Sequence, residues 1–286
     1  MDSFSYDYLS KIDSDRTIVV SHEKFAPSEL KKLRSERSTG EYCWTAKPIA
    51  LEFILENFAD VKWAIYLDAD AMFFNGLDEH IESIEPPFLL TPHNFSKNLK
   101  KLEKVVGRYN AGFVGIKNTV TGIKVLNGWR RNCLTKCSSK PDTFTYADQK
   151  YLNEFEKDSN SKCQPFGLTG VNVAPWNVNN YDLSISSAGS IVIGSEPLIF
   201  YHFQGMKLKK NAPSCLYGGN INLKNFVVEN IYLPYLQELS KAYQLIREDF
   251  KNFESGIEAN KRGFKLLKDK TRSLFHPARN LLDIKI

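Results

Sequence analysis

Short apolar runs separated by polar, turn-forming stretches dominate the chain, and they carry two periods. Trp63–Leu67 is continuously apolar, too short and too rich in β-formers and aromatics for a core helix, and reads as a buried strand. Residues 16–21, 88–91, 108–116, 191–193 and 198–202 read as further strands. Gly112 and Gly115 within 108–116 call for a bulge or the close approach of another backbone or ligand. Helical spacing governs 49–55, where Pro48 suits a first turn, and 126–137, which carries Trp129. It is plainest at Tyr232, Tyr235, Leu236, Leu239, Tyr243 and Ile246. Shorter helices are expected over 27–33, with Ser28 as N-cap, over 77–85, and from Asp148 to Asn153. Strand, helix, helix, strand over the first 67 residues is the grammar of a βαβ unit with a largely parallel sheet.

The character of the chain changes near residue 225. An α/β body over residues 1–225 is expected, followed by a helical, basic extension over 226–286. The net charge of +5 sits at the end: from Lys261 to Ile286 eight Lys/Arg face two Asp, so the tail is +6 and everything before it is −1. A near-neutral body argues against a nucleic-acid groove running through it. The tail interleaves its charges with Phe264, Leu266, Leu267, Leu274 and Phe275, a pattern suited to an anionic membrane surface or to a solvated extension. No run of about 18 apolar residues marks a membrane span, and the opening residues lack a signal-peptide pattern. Five scattered cysteines complete no zinc pattern, which fits reduced thiols in a cytoplasmic protein.

The candidate chemistry centres on Asp68 and Asp70, which end the strand Trp63–Leu67. Residues two apart on an extended strand point the same way, so both carboxylates can converge on one point. Hard divalent cations take such oxygen ligands and keep positions open for phosphates. A solvated acidic turn is the alternative for the triplet alone.

Five stretches then occur in order: Tyr66-Leu67-Asp68-Ala69-Asp70, Tyr109-Asn110-Ala111-Gly112-Phe113, Asp148-Gln149-Lys150-Tyr151-Leu152-Asn153, Asn172-Val173-Ala174-Pro175-Trp176-Asn177 and Tyr201-His202-Phe203-Gln204-Gly205. Together, over about half the chain, they resemble the GT-A-fold glycosyltransferases that use nucleotide-diphosphate sugars, in particular bacterial relatives of the glycogenin and lipopolysaccharide-galactosyltransferase group. The resemblance implies a Rossmann-like, mixed sheet flanked by helices. It implies that Asp68, Asp70 and His202 hold Mn²⁺ or Mg²⁺, and that the metal neutralises the diphosphate leaving group. Asp148 and Gln149 would face the donor sugar and its anomeric carbon, in a retaining transfer. Asn110 would bind sugar hydroxyls, with Gly112 allowing close backbone approach. Trp176 and Asn177 would line the acceptor side, and Lys47 is a candidate for the donor phosphates or sugar. Gly205 and Lys207 fall in the segment that clamps the diphosphate.

Two departures stand out. The lysine of that clamp is expected three residues after Gly205, where this chain has Leu208, so Lys207 or Lys209 would substitute. Such domains also open with a strand that holds the uridine, and only 16–21 precedes the aspartates here. A missing N-terminal strand implies a truncated form or an incomplete base pocket.

The leading expectation is a hexosyltransferase acting from a nucleotide-diphosphate sugar, most simply a UDP-sugar, on a hydroxyl of a surface glycan or lipid-linked saccharide. A degenerate homologue acting as a sugar- or metal-binding module is the alternative. A phosphohydrolase with Asp68 as nucleophile is weaker, because that class places Thr or Val two residues after the second aspartate and Met72 stands here.

Overall fold

The computed structural model describes residues 3–12, 14–81, 84–155, 168–210, 213–219, 221–258 and 280–282. In chain order the main elements are α1 (Ser3–Leu9), α2 (His22–Phe25), α3 (Ser28–Lys32), α4 (Thr39–Asn57), β1 (Trp63–Leu67), β2 (Ala71–Phe73), α5 (Asp78–Ile81), β3 (Phe88–Pro92), α6 (Glu103–Val106), β4 (Tyr109–Lys117) and α7 (Val120–Thr135). After the turn Gln149–Glu154 come β5 (Leu183–Ile185), β6 (Ile191–Ile193), β7 (Glu196–Pro197), β8 (Phe200–His202) and, past a π-helical turn at Val228–Tyr232, the long helix α8 (Leu233–Asp249). The chain is therefore mixed α and β, built from helices and small, mainly antiparallel sheets. It divides into two compact units, Met1–Leu67 with Ile84–His93 and Lys101–Phe166, and Asp68–Ser83 with Asn94–Lys100 and Gly167–Ile286.

The first unit is organised on the sheet β1-β4-β3, and both pairings are antiparallel. This corrects the expected parallel sheet. The βαβ grammar leaned on residues 16–21 as a first strand, and that segment pairs with no described strand. Its Ile18 is 68% exposed, and Ser21 serves as the N-cap of α2, accepting from the amide of Lys24. A β-branched run without a ladder partner gains little from the strand conformation.

Helix α4 also begins earlier than its apolar spacing suggested. Ser38 and Glu41 form a reciprocal capping box, and Pro48 sits inside the helix and not in its first turn. Ser28 likewise is the first residue of α3, and Pro27 precedes it without a side-chain cap bond. Helices α4 and α7 pack on one another and on the sheet. Between them Leu51, Phe88, Leu90, Val114, Ile116, Trp129 and Phe155 are buried in one core. Phe155 meets Phe88 and Trp129 edge-on, with ring centroids 5.3 and 6.0 Å apart.

The two glycines of β4 divide the two roles expected of them. Leu90 faces Val114 but Thr91 faces Asn110, so Ala111, Gly112 and Phe113 bulge from the β3 ladder. Gly115 answers to close approach: a Cβ there would lie 3.0 Å from Leu89.

The second unit packs α8 and the segments around it into another core, centred on Tyr201, Phe203, Ile231, Tyr232 and Leu236. The helical spacing read from Tyr232 to Ile246 falls on α8 and the turn that leads into it. Pro234 supplies no amide to the carbonyl of Asn230, which removes an α-type bond where the chain winds as a π-helix. Strand β2 pairs antiparallel with β8, placing Ala71 opposite His202. Of the basic tail, only 280–282 lies within the described residues.

Candidate metal centre

Asp68 follows β1 directly, and Asp70 directly precedes β2. The carbonyl of Asp70 accepts from the amide of Phe203 at 2.7 Å, continuing the β2–β8 ladder by one bond. This fixes the second acid beside His202. The His202 Nε2 lies 3.1 Å from Asp70 Oδ1 and 3.8 Å from Asp68 Oδ2, and one ligand atom from each of the three residues fits within 4.8 Å of the others. The imidazole is 2% exposed, whereas the side chains of Asp68 and Asp70 are 27% and 46% exposed. The site thus has a buried nitrogen at its back and two carboxylates toward solvent.

The histidine is held from behind. Its Nδ1 is 3.3 Å from Asn172 Oδ1, and its backbone amide donates to the carbonyl of Val173 at 2.8 Å. Trp176 packs edge-on against the ring, with centroids 5.4 Å apart. Asn172 has φ +58°, a left-handed conformation that asparagine tolerates better than most residues. The fold of 172–177 holds it there: Asn177 Oδ1 accepts from the amide of Ala174 at 2.9 Å, and its Nδ2 donates to the carbonyl of Asn172. Ser96 donates twice to the carbonyl of Trp176, through its amide and its hydroxyl.

This arrangement fits a cation. The buried His202 Nε2 has no hydrogen bond despite two carboxylates within 4 Å. A proton on Nδ1 directed at Asn172 Oδ1 would leave the Nε2 lone pair facing the acids, the tautomer a metal ligand requires. Two carboxylates and one imidazole make a mixed hard and borderline donor set that suits Mn²⁺ and similar divalent ions. Nearby, burial pushes the Tyr235 hydroxyl up to about 12, with the Asp70 charge acting in the same direction.

Other residues singled out from sequence fall in several places. Trp176 and Asn177 are buried in the second unit, 4% and 2% exposed, and support the histidine's turn. Gly205 has φ +79°, a conformation glycine accepts freely. Lys207 is exposed and pairs with Glu258 at 2.7 Å, while Leu208 is buried.

Lys47, Asn110, Gly112, Asp148 and Gln149 belong to the first unit. Lys47 is buried. Its Nζ donates to the carbonyl of Ala111 in the β4 bulge at 3.1 Å, lies 3.5 Å from Asp148 Oδ2 and sits 4.8 Å from the Tyr66 ring centroid. Asp148 precedes the turn Gln149–Glu154 without capping it through its side chain, and its carbonyl accepts from Trp129 Nε1 at 2.8 Å. Gln149 Nε2 donates to the carbonyl of Val106. Asn110 Oδ1 accepts from the amide of Gly112 at 3.0 Å, and its Nδ2 approaches His93 Nε2 at 3.4 Å.

Asn172 and His93 were not singled out from sequence as supports. Asn172 heads the fourth of the five ordered stretches, but nothing in one sequence marks a left-handed asparagine or a histidine that orients a neighbour.

No protein-family model and no solved structure matches the chain. It is similar to the uncharacterized protein YfnD of Bacillus subtilis (strain 168), 29% identical over 263 residues that cover 90% of this chain and 83% of the relative. It is also similar to the uncharacterized protein YfnF of the same organism, 27% identical over 215 residues covering 73% of this chain and 71% of the relative.

Proposed function

We propose that this protein is a metal-dependent glycosyltransferase with a GT-A-like fold, moving a hexose from a nucleotide-diphosphate sugar to a hydroxyl of a surface glycan or lipid-linked saccharide. The observation that carries the reading is the meeting of Asp68, Asp70 and His202, which lie as far as 134 positions apart in sequence, with their ligand atoms within 4.8 Å. The ordered motifs around them resemble that group of enzymes and give the reading its reaction. A bound Mn²⁺ or Mg²⁺ would neutralise charge on the departing diphosphate. The chain's own residues would do the rest: Asp68, Asp70 and His202 would hold the cation, and Asn172, beside Nδ1, would orient the imidazole toward it. Lys47 and Asp148, already ion-paired, and Gln149 and Asn110 are the groups we assign to the donor sugar, in a retaining transfer. The basic segment 261–286 is assigned to a peripheral contact with a membrane surface, on the cytoplasmic side. No helix among the described residues is long and apolar enough to cross a membrane.

The test is release of UDP from a panel of UDP-hexoses. Release that requires Mn²⁺ and disappears in Asp70→Asn and Asp148→Asn supports transfer chemistry. Binding of UDP and Mn²⁺ without release in any acceptor mixture would assign a binding module instead. Failure to bind either would end the proposal.

A further inference from the structure

The second unit contains an open cleft of about 390 Å³ that no motif drew attention to. It is lined by Met72 and Phe74, at and just after β2, and by Ser190 and Ile191 from the β5–β6 hairpin. Glu229 and Asn230, from the π-helical turn, line it as well. Two features of its lining bear on a ligand. A π-turn widens the helix where it lines the cleft, and such turns are frequent at functional positions. The cleft also mixes apolar surface with a carboxylate, an amide and a hydroxyl.

We infer that this cleft binds a hexopyranose saccharide and is the acceptor subsite of the proposed transfer. A pyranose ring is itself two-sided, with an apolar C–H face and a rim of hydroxyls. Phe74, Met72 and Ile191 offer the apolar platform, and Glu229, Ser190 and Asn230 offer partners for the rim. Asn230 Nδ2 already donates to the carbonyl of Phe226, which orients its Oδ1 as an acceptor. Among the described residues Glu229 makes no ion pair, so its carboxylate is available to accept hydroxyl protons. An acyl chain is a poorer occupant, because it would leave that carboxylate against hydrocarbon. The volume lies at the small end of ligand sites, sized for one or two sugar rings. Met72 is two residues beyond Asp70, so their Cα atoms lie within about 7 Å. A saccharide held against Met72 would therefore lie within reach of Asp70, one of the acids assigned to the cation. Saccharide binding stands on the cleft alone, and only its role as acceptor rests on the glycosyl-transfer reading.

The chain has three methionines, and Met72 lines the cleft, so methyl-labelled methionine reports the site directly by NMR. Met72→Leu assigns its signal. The probes are methyl glucoside, methyl galactoside, maltose and lactose, with n-octanol as the apolar comparison and Mn²⁺ added separately. At least one sugar should shift the Met72 signal saturably, and Glu229→Leu should weaken that binding about tenfold, the equivalent of roughly 1.4 kcal/mol. Mn²⁺ should broaden the same signal in the wild type and not in Asp70→Ala. A Met72 signal unmoved by all four sugars, or moved by octanol alone, overturns the saccharide site even where Mn²⁺ broadening persists. A sugar-dependent shift without Mn²⁺ broadening leaves the saccharide site standing and removes its acceptor role together with the transfer reading.

Discussion

Replacing Lys47 with methionine keeps the side chain's length and removes its charge, which isolates what the buried pair with Asp148 contributes. The two groups lie 3.5 Å apart, with side chains 5% and 3% exposed. At an effective dielectric of about 20 their attraction is about 5 kcal/mol, and the Lys47 bond to the Ala111 carbonyl is lost as well. Most of that attraction offsets the cost of burying the charges, so the pair is nearly neutral against an apolar replacement. Removing one partner is different, because it strands the other charge. Lys47→Met should therefore destabilise the protein by about 3–5 kcal/mol, and Lys47→Met with Asp148→Leu should recover most of that loss. In urea this is a midpoint shift of about 1–2 M for the single variant. The double variant should also be inactive in UDP release, which separates stability from function. Single variants that each cost under about 1 kcal/mol and add without coupling would refute the reasoning.

Asn172→Gly keeps the left-handed backbone but removes the amide behind His202, and should weaken Mn²⁺ binding about 10- to 100-fold in calorimetry. Gly122→Ala should destabilise by about 1–3 kcal/mol despite alanine's better helix propensity, because the added Cβ would lie 2.1 Å from the Lys117 carbonyl oxygen; a thermal melt at or above the wild-type midpoint would contradict this. Glu41 is held down to about 2 from its usual 4.5, first by the Ser139 amide and then by Ser38. Its folded pKa is lowered, so it stabilises the fold above pH 4.5 and that contribution fades as pH falls toward 2. Glu41→Gln should flatten the stability–pH curve in that window, and Ser38→Ala should cost about 1 kcal/mol at neutral pH, both read from urea midpoints.

Apolar runs and helical spacing were readable, although of the run Trp63–Leu67, expected to be buried, only Ala64 is. Trp63–Leu67, Phe88–Pro92 and Tyr109–Lys117 are strands, and the apolar spacing from Tyr232 onward marks the long helix. The glycines of β4 announced an irregular strand, and the bulge at Ala111–Phe113 is there. Strand direction was not readable in the same way. It depends on which runs find partners, and 16–21 has the composition of a strand without one. Helix α4 shows the same limit: its start is set by Ser38 and Glu41, while Pro48 drew the boundary inward. At the candidate site the two acids were legible from their spacing at a strand end, whereas His202 entered only through the resemblance that the ordered motifs carry. Their supports were not, since the left-handed Asn172 and the burial of Lys47 arise from packing that one sequence does not display.

Titration of Mn²⁺, followed by the loss of its free-ion electron paramagnetic resonance signal, tests the metal centre most directly. One ion should bind per chain, and Asp70→Ala and His202→Ala should each abolish that binding while leaving the circular dichroism spectrum unchanged. Binding that survives both substitutions, or a wild type that takes up no ion, would contradict the account.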